Sequence, residues 1–179
     1  HLAHGEVEPA RSLLARLDRL SAGVHPDNLF QQQMFGVMAM NSRLALAVAD
    51  PSAGHLLSEV AGWIQARGLK ADDSFSYPLE GSYAVLARLL LRQGQASKAL
   101  GLLERLTQAA EAGGRKDDLL RYLLLQALAH HALAQEHRTS EVLHRALQLA
   151  EPQGYCRSFV DMGSVMKGLL ETVAKRSPT

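Results

Sequence analysis

The stretch Gly94 to Leu106, GQASKALGLLERL, occurs more than once in this chain, and any fold must accommodate that recurrence. An earlier copy, Gly5 to Leu17 (GEVEPARSLLARL), lies 89 residues upstream and shares the glycine, an alanine, the LL pair, the arginine and the final leucine. A third, Ala134 to Leu147 (AQEHRTSEVLHRAL), follows 40 residues downstream, with Leu143 answering Leu103 and Arg145 answering Arg105. Self-similarity at a spacing near 40 residues is the mark of a helical repeat array.

Within each copy the apolar residues fall at i, i+3, i+4 and i+7: Ala10, Leu13, Leu14, Leu17; Ala99, Leu102, Leu103, Leu106; and, in a shifted frame, Leu143, Ala146, Leu147, Ala150. At 3.6 residues per turn these positions form one stripe, while Lys98, Glu104 and Gln108 point elsewhere. A helix with a single apolar stripe cannot bury it alone, so each copy needs the helix before it and the helix of the next repeat. The small residue opening each copy (Gly5, Gly94, Ala134) sits where a helical hairpin must turn. Ala10 and Ala99 allow paired helices to approach closely, and Thr139 at the equivalent place implies a looser contact.

The chain order predicts further helices. Val7 to Ser21 is the second helix of a truncated first repeat, and HLAHG reads as the last turn of a helix whose start is missing. Gly23 and Pro26 break the chain, and Asp27 is the expected N-cap of a long helix to Ala49, with Phe30, Met34, Val37, Met38, Leu44, Ala45 and Val48 as its packing face. Asp50-Pro51 reads as cap and first residue of a helix ending near Arg67, with Gly68 closing it and Trp63 packing between repeats. A polar connector fills Leu69 to Ser76. Pro78 opens a helix to Arg92 that packs through Tyr83, Leu86, Ala87 and Leu90. Further helices are expected over Gln95–Ala112, from Asp117-Asp118 to Ala134, and over Thr139–Glu151. Met166, Leu169, Leu170 and Val173 mark a closing helix. The fold class is all-α, with about 8–9 helices in antiparallel pairs and no convincing strand pattern. The whole of 1–179 reads as a single repeat domain, divided into 1–22, 26–68, 77–113, 115–153 and a cap over 154–176.

Composition excludes several classes of function. A length of 179 residues supports a sizeable core, and 47% hydrophobic with only 5% aromatic residues suits an aliphatic helical interior. A net charge of +1 creates no long-range field for nucleic acid or acidic lipid. Cys156 is the one cysteine, so no intrachain disulfide forms and a reducing compartment is expected. The longest apolar run, Leu119 to Leu128, is interrupted by Arg121 and Gln126 and is too short to span a bilayer. The opening residues do not read as a signal peptide, and a cytoplasmic location is expected.

With the repeats placed, the strings LARLLLRQGQASKALGLLERL, LLLQALAHHALA and HRALQLAEPQGYCRSFVDMG resemble the C-terminal repeat region of MalT-type regulators. The most specific piece is Glu151-Pro152-Gln153-Gly154-Tyr155 followed by Arg157, Phe159, Val160 and Asp161, which resembles the family's close to the array. Pro78-Leu79, Gly81, Cys156 and Met162 depart from the family's usual residues. The resemblance implies a superhelix of tetratricopeptide-like repeats that senses an inducer and controls self-association in a transcriptional activator with a LuxR-type DNA-binding domain. It also implies that the ATPase and DNA-binding modules lie outside this chain, since there is no GxxxxGK[ST] phosphate loop and no helix-turn-helix reading after Val173.

Catalysis is not expected, because no serine or cysteine stands beside a base in a recognisable motif. Nor is a metal or cofactor expected. His137, Glu141 and His144 have helical spacing, but His137 is placed in the turn, and there is no HExxH or Cys/His cluster. His130 and His131 are adjacent and diverge by about 100° on a helix. In a tetratricopeptide-like superhelix the first helix of each pair lines the concave surface. The candidate ligand-binding residues there are Arg88, Arg92, Arg121 and His131, whose arginines suit a carboxylate or phosphate through bidentate hydrogen bonds. The plainer alternative is that they are solvated or paired with Asp117, Asp118 and Glu104. The partner is then a small-molecule inducer or, on the other reading, a peptide or protein. Self-association is expected as well, without direct nucleic-acid or membrane contact.

Overall fold

The computed structural model describes residues 7–25, 27–151 and 156–176, apart from the side chains of Pro51, Cys156 and Arg176. Every regular element among them is helical: α1 Val7–Ala22, α2 Leu29–Ala49, α3 His55–Ala66, α4 Glu80–Arg92, α5 Ala96–Ala112, α6 Lys116–Ala132, α7 Glu136–Ala150, α8 Cys156–Val160 and α9 Ser164–Arg176. Short 3-10 turns at Pro51–Ala53 and Tyr77–Leu79 precede α3 and α4. This is the all-helical, tetratricopeptide-like repeat fold expected from the spacing of the repeats. The chain forms two compact units, 1–89 and 90–179, with the boundary inside α4. Gly5 and the Pro152–Tyr155 part of the family-like close lie outside the described residues.

The turns follow from the small residues that open the repeats. Gly94 has φ +73°, Gly114 φ +65° and Ala134 φ +56°. In each case the next amide bonds back across the helix end: Gln95 N–H to Leu90 O at 2.9 Å, Arg115 N–H to Ala110 O at 2.9 Å, and Gln135 N–H to His130 O at 2.9 Å. The left-handed residue's own N–H reaches Leu91, Glu111 and His131 O respectively. This Schellman closure satisfies carbonyls that a helix end leaves without partners. Gly68, φ +63°, closes α3 in the same way.

In the C-terminal unit the stripe of α5 is buried as the periodicity requires: Ala99, Leu102, Leu103 and Leu106 are at most 1% exposed. Helix α6 packs against both α5 and α7, so it is apolar on more than one side and buries Leu120, Leu123, Leu124 and Ala127 together. Leu143, Ala146, Phe159, Met166 and Val173 complete that core, bringing α7, α8 and α9 into it. Thr139 is only 4% exposed, and its hydroxyl donates to Gln135 O at 3.0 Å. The looser contact expected there is therefore not found, because the hydroxyl is satisfied within its own turn. Between α5 and α6, Gln126 Nε2 donates to Thr107 Oγ1 at 2.9 Å in a buried pair.

The N-terminal unit departs more from expectation. Leu14 is buried, but Leu13 is 50% exposed, so the first stripe is narrower than its sequence pattern. Asn28, not Asp27, caps α2, its Oδ1 accepting from Gln31 N at 3.0 Å. The expected packing face of α2 is met in part: Leu44 is buried and Val37 packs as expected, but the helix buries Gly36, Ala39, Met40, Leu46 and Ala47 besides, while Phe30 is 75%, Met38 49% and Val48 44% exposed. The helix carries two apolar sides. Its small residues Gly36 and Ala39 permit the close approach, so that side packs and the bulky Phe and Met side is left outside. Gly81 at the start of α4 meets Val37 so closely that an added Cβ would lie 3.3 Å from it. Asp50 does cap the turn into α3, accepting from Ser52 N at 2.9 Å.

Candidate functional site

Helix α4 places Arg88 and Arg92 four residues apart, hence on one face and about 6 Å apart along the axis. Arg88 belongs to the N-terminal unit, where it is half-buried and its Nη1 donates to Asn41 Oδ1 of α2 at 2.6 Å. That bond orients the guanidinium. Arg92 is exposed in the C-terminal unit. Arg121, near the start of α6, is also exposed and lies 3.5 Å from Asp118, one of the carboxylates expected to pair with it. A surface pair of that length contributes little and is readily exchanged. His131 is exposed at the other end of α6. Ten residues separate it from Arg121, which is about 15 Å of rise and about 80° of rotation. One small anion cannot bridge these two side chains.

His137 lies in the first turn of α7, not in the preceding turn, because the helix begins at Glu136. His137, Glu141 and His144 therefore do share a helix face. Glu141 is engaged by Arg138 at 2.9 Å, and His144 Nδ1 meets Ser140 O at 2.8 Å. Among the described residues no group of three His, Cys, Asp or Glu side chains is arranged to hold a metal ion.

Sequence reasoning missed a second constellation, in the N-terminal unit. Arg43 of α2 donates Nη1 and Nη2 to the two Asp18 oxygens of α1, both at 3.0 Å, and Nε to Glu59 of α3 at 2.6 Å. Burial lowers the tendency of Arg43 to hold its proton, but the bonds it donates to Asp18 and Glu59 outweigh that and raise its pKa. One guanidinium thus ties three helices, using the planar fork that suits carboxylates. Beside it is an open cleft of about 410 Å³ lined by α1, α2 and α3, including Asp18, Gln32, Gly36, Met40, Trp63 and Arg67. Arg67 stacks on Trp63, 4.0 Å from the ring centroid. Gly36 lets the indole lie against α2, since a Cβ there would come within 3.3 Å of its Nε1. Trp63 therefore packs on Gly36 within the α2–α3 pair and also lines the cleft shared with α1 of the preceding repeat, in keeping with the position between repeats expected of it. The residues of this cleft are scattered over 50 positions with no motif, which is why spacing alone did not gather them.

Stacked helical hairpins closed by left-handed small residues define a tetratricopeptide-like repeat protein, a class that generally binds partners and does not catalyse. The sequence model of the MalT-like TPR region matches residues 1–176, and the chain belongs to that family. No curated protein and no solved structure matched the chain. No described helix is long and apolar enough to cross a membrane.

Proposed function

We propose that this chain is the sensor and self-association region of a cytoplasmic, LuxR-type transcriptional activator, binding a small-molecule inducer and relaying that event to ATPase and DNA-binding modules. The observation that carries the reading is the family membership across residues 1–176. Arg88, Arg92 and Arg121 supply the chemistry. Two of them share a face of α4, and Arg121 has only a loose surface ion pair to give up to a ligand. The relay is a population shift: inducer binds one arrangement of the repeats better than another and so stabilises it. Arg88→Ala and Arg121→Ala test this in the full-length regulator. Each is expected to weaken the inducer response of a reporter promoter while leaving protein abundance unchanged. An unchanged response in both variants rejects these residues as the inducer's contacts.

A second reading, a scaffold for a peptide or partner protein, is favoured by the apolar side chains α2 leaves outside. Leu29 is 73% and Phe30 75% exposed, and Met34 and Met38 continue the same side of the helix. Methionine and phenylalanine in that arrangement suit the apolar face of another helix. Replacing Phe30 and Met38 by serine discriminates the two readings, because it should abolish partner capture and leave inducer binding intact.

A further inference from the structure

Among the described residues, the cleft between α1, α2 and α3 is lined by one cation without a carboxylate partner. Asp18 lines it, but that charge is already matched by Arg43 through two 3.0 Å bonds. Arg67 lines it too, and among the described residues no carboxylate lies within ion-pair distance of its guanidinium. Burial alone acts on Arg67, pushing its pKa down. Arg67 is itself exposed, and a guanidinium held over an indole with no carboxylate beside it among the described residues is open to an incoming anion. The remaining surface is a mixture of apolar groups (Ala39, Met40, the Trp63 ring) and neutral polar ones (Gln32, Ser21). The volume of about 410 Å³ lies within the range of small-molecule sites.

From this juxtaposition we infer that the α1–α3 cleft is a ligand site for a small monocarboxylate with an apolar body, its carboxylate on Arg67 and its body against Met40 and Trp63. Charge sets the valence. Arg43 is shared between Asp18 and Glu59 and has no charge to spare, so Arg67 is the one cation in the lining left to receive a carboxylate, and a second carboxylate on the ligand would face Asp18 with no cation to receive it. Glu59, on the far side of Arg43, adds to that repulsion. The site is separate from the arginines of α4 and α6, and it stands or falls independently of their role.

The chain contains a single tryptophan, and it is in the cleft, so its fluorescence reads this site directly. Hexanoate is the probe, with 1-hexanol as its uncharged counterpart and adipate as the dianion. Saturable quenching or shift of Trp63 emission is expected with hexanoate, at least about tenfold weaker with hexanol and with adipate, one factor of ten being about 1.4 kcal/mol. Arg67→Gln should weaken hexanoate by a similar factor, with unchanged helical circular dichroism. Since that change also alters the environment of Trp63, thermal stabilisation by hexanoate is read in parallel, and Lys98→Ala, at an exposed position of α5, should leave both readouts as in the parent. No saturable response to hexanoate overturns the assignment. So does an equal response to hexanol, or an Arg67→Gln protein that binds hexanoate as the parent does.

Discussion

Ala134 offers a sharp quantitative test of how the repeats turn. It is the one non-glycine residue among those described that has positive φ, at +56°, where the equivalent position of the preceding repeat is Gly94 at +73°. For an L-residue the left-handed conformation costs roughly 1–2 kcal/mol, because Cβ crowds the carbonyl oxygen. Glycine escapes that cost but gives back about 0.4–1 kcal/mol through the greater freedom of the unfolded chain. Ala134→Gly should therefore stabilise the C-terminal unit by about 0.5–1 kcal/mol. Gly94→Ala should destabilise by about the same amount, and for the same reason only, since an added Cβ at Gly94 meets nothing within 4 Å. For a unit of this size 1 kcal/mol is about 4–8 °C in Tm. Urea unfolding followed by circular dichroism, with Trp63 fluorescence reporting the N-terminal unit separately, measures both variants. A destabilised Ala134→Gly protein, or a neutral Gly94→Ala, would refute the assignment of these residues as left-handed closures of α6 and α4.

Other outcomes follow from the packing and the ion pairs. Leu102→Ala, at a position 1% exposed, should cost about 2–5 kcal/mol in urea unfolding, whereas Leu13→Ala, half exposed at the equivalent position of the earlier copy, should cost well under 1 kcal/mol. Arg43→Met should destabilise the N-terminal unit by about 1–3 kcal/mol by releasing Asp18 and Glu59, seen as an earlier Trp63 transition. Asp50 has its pKa held below the usual carboxylate value by hydrogen bonds from Ser52 and Arg11. Its contribution is therefore present above the unfolded-state pKa near 4 and is lost as pH falls through the lower folded value. Asp50→Asn should accordingly flatten the acid limb of stability against pH.

What was legible in the sequence follows from how each residue is determined. Periodicity reports burial when one face of a helix is apolar, and α5 obeys that condition, so Ala99, Leu102, Leu103 and Leu106 were read correctly from spacing. Helix α2 violates it. With apolar residues on two sides, the pattern cannot say which side packs, and the choice falls to the small residues Gly36 and Ala39, whose value depends on what approaches them. The caps show the same division. Asp50 sits before a proline and was identifiable, whereas Asp27 and Asn28 are adjacent good caps, and one residue of backbone geometry decides between them. Arg88 and Arg121 were singled out by their places on successive first helices of each pair, and the structure gives the one a bond to Asn41 and the other a surface ion pair with Asp118. Asp18, Arg43, Glu59 and Arg67 escaped because their relation is purely tertiary: three helices bring together residues with no common spacing.

Sensing by the repeat region itself is tested most directly by the thermal unfolding of this chain against a panel of bacterial metabolites: sugars, organic acids, aromatic acids, alcohols and signalling lactones. A ligand present at 100 times its Kd adds about 2.7 kcal/mol, which for a chain of this length is roughly 5–10 °C in Tm. One compound producing such a shift, diminished by Arg88→Ala or Arg121→Ala, is the predicted result. A folded protein whose Tm moves with none of them would contradict it.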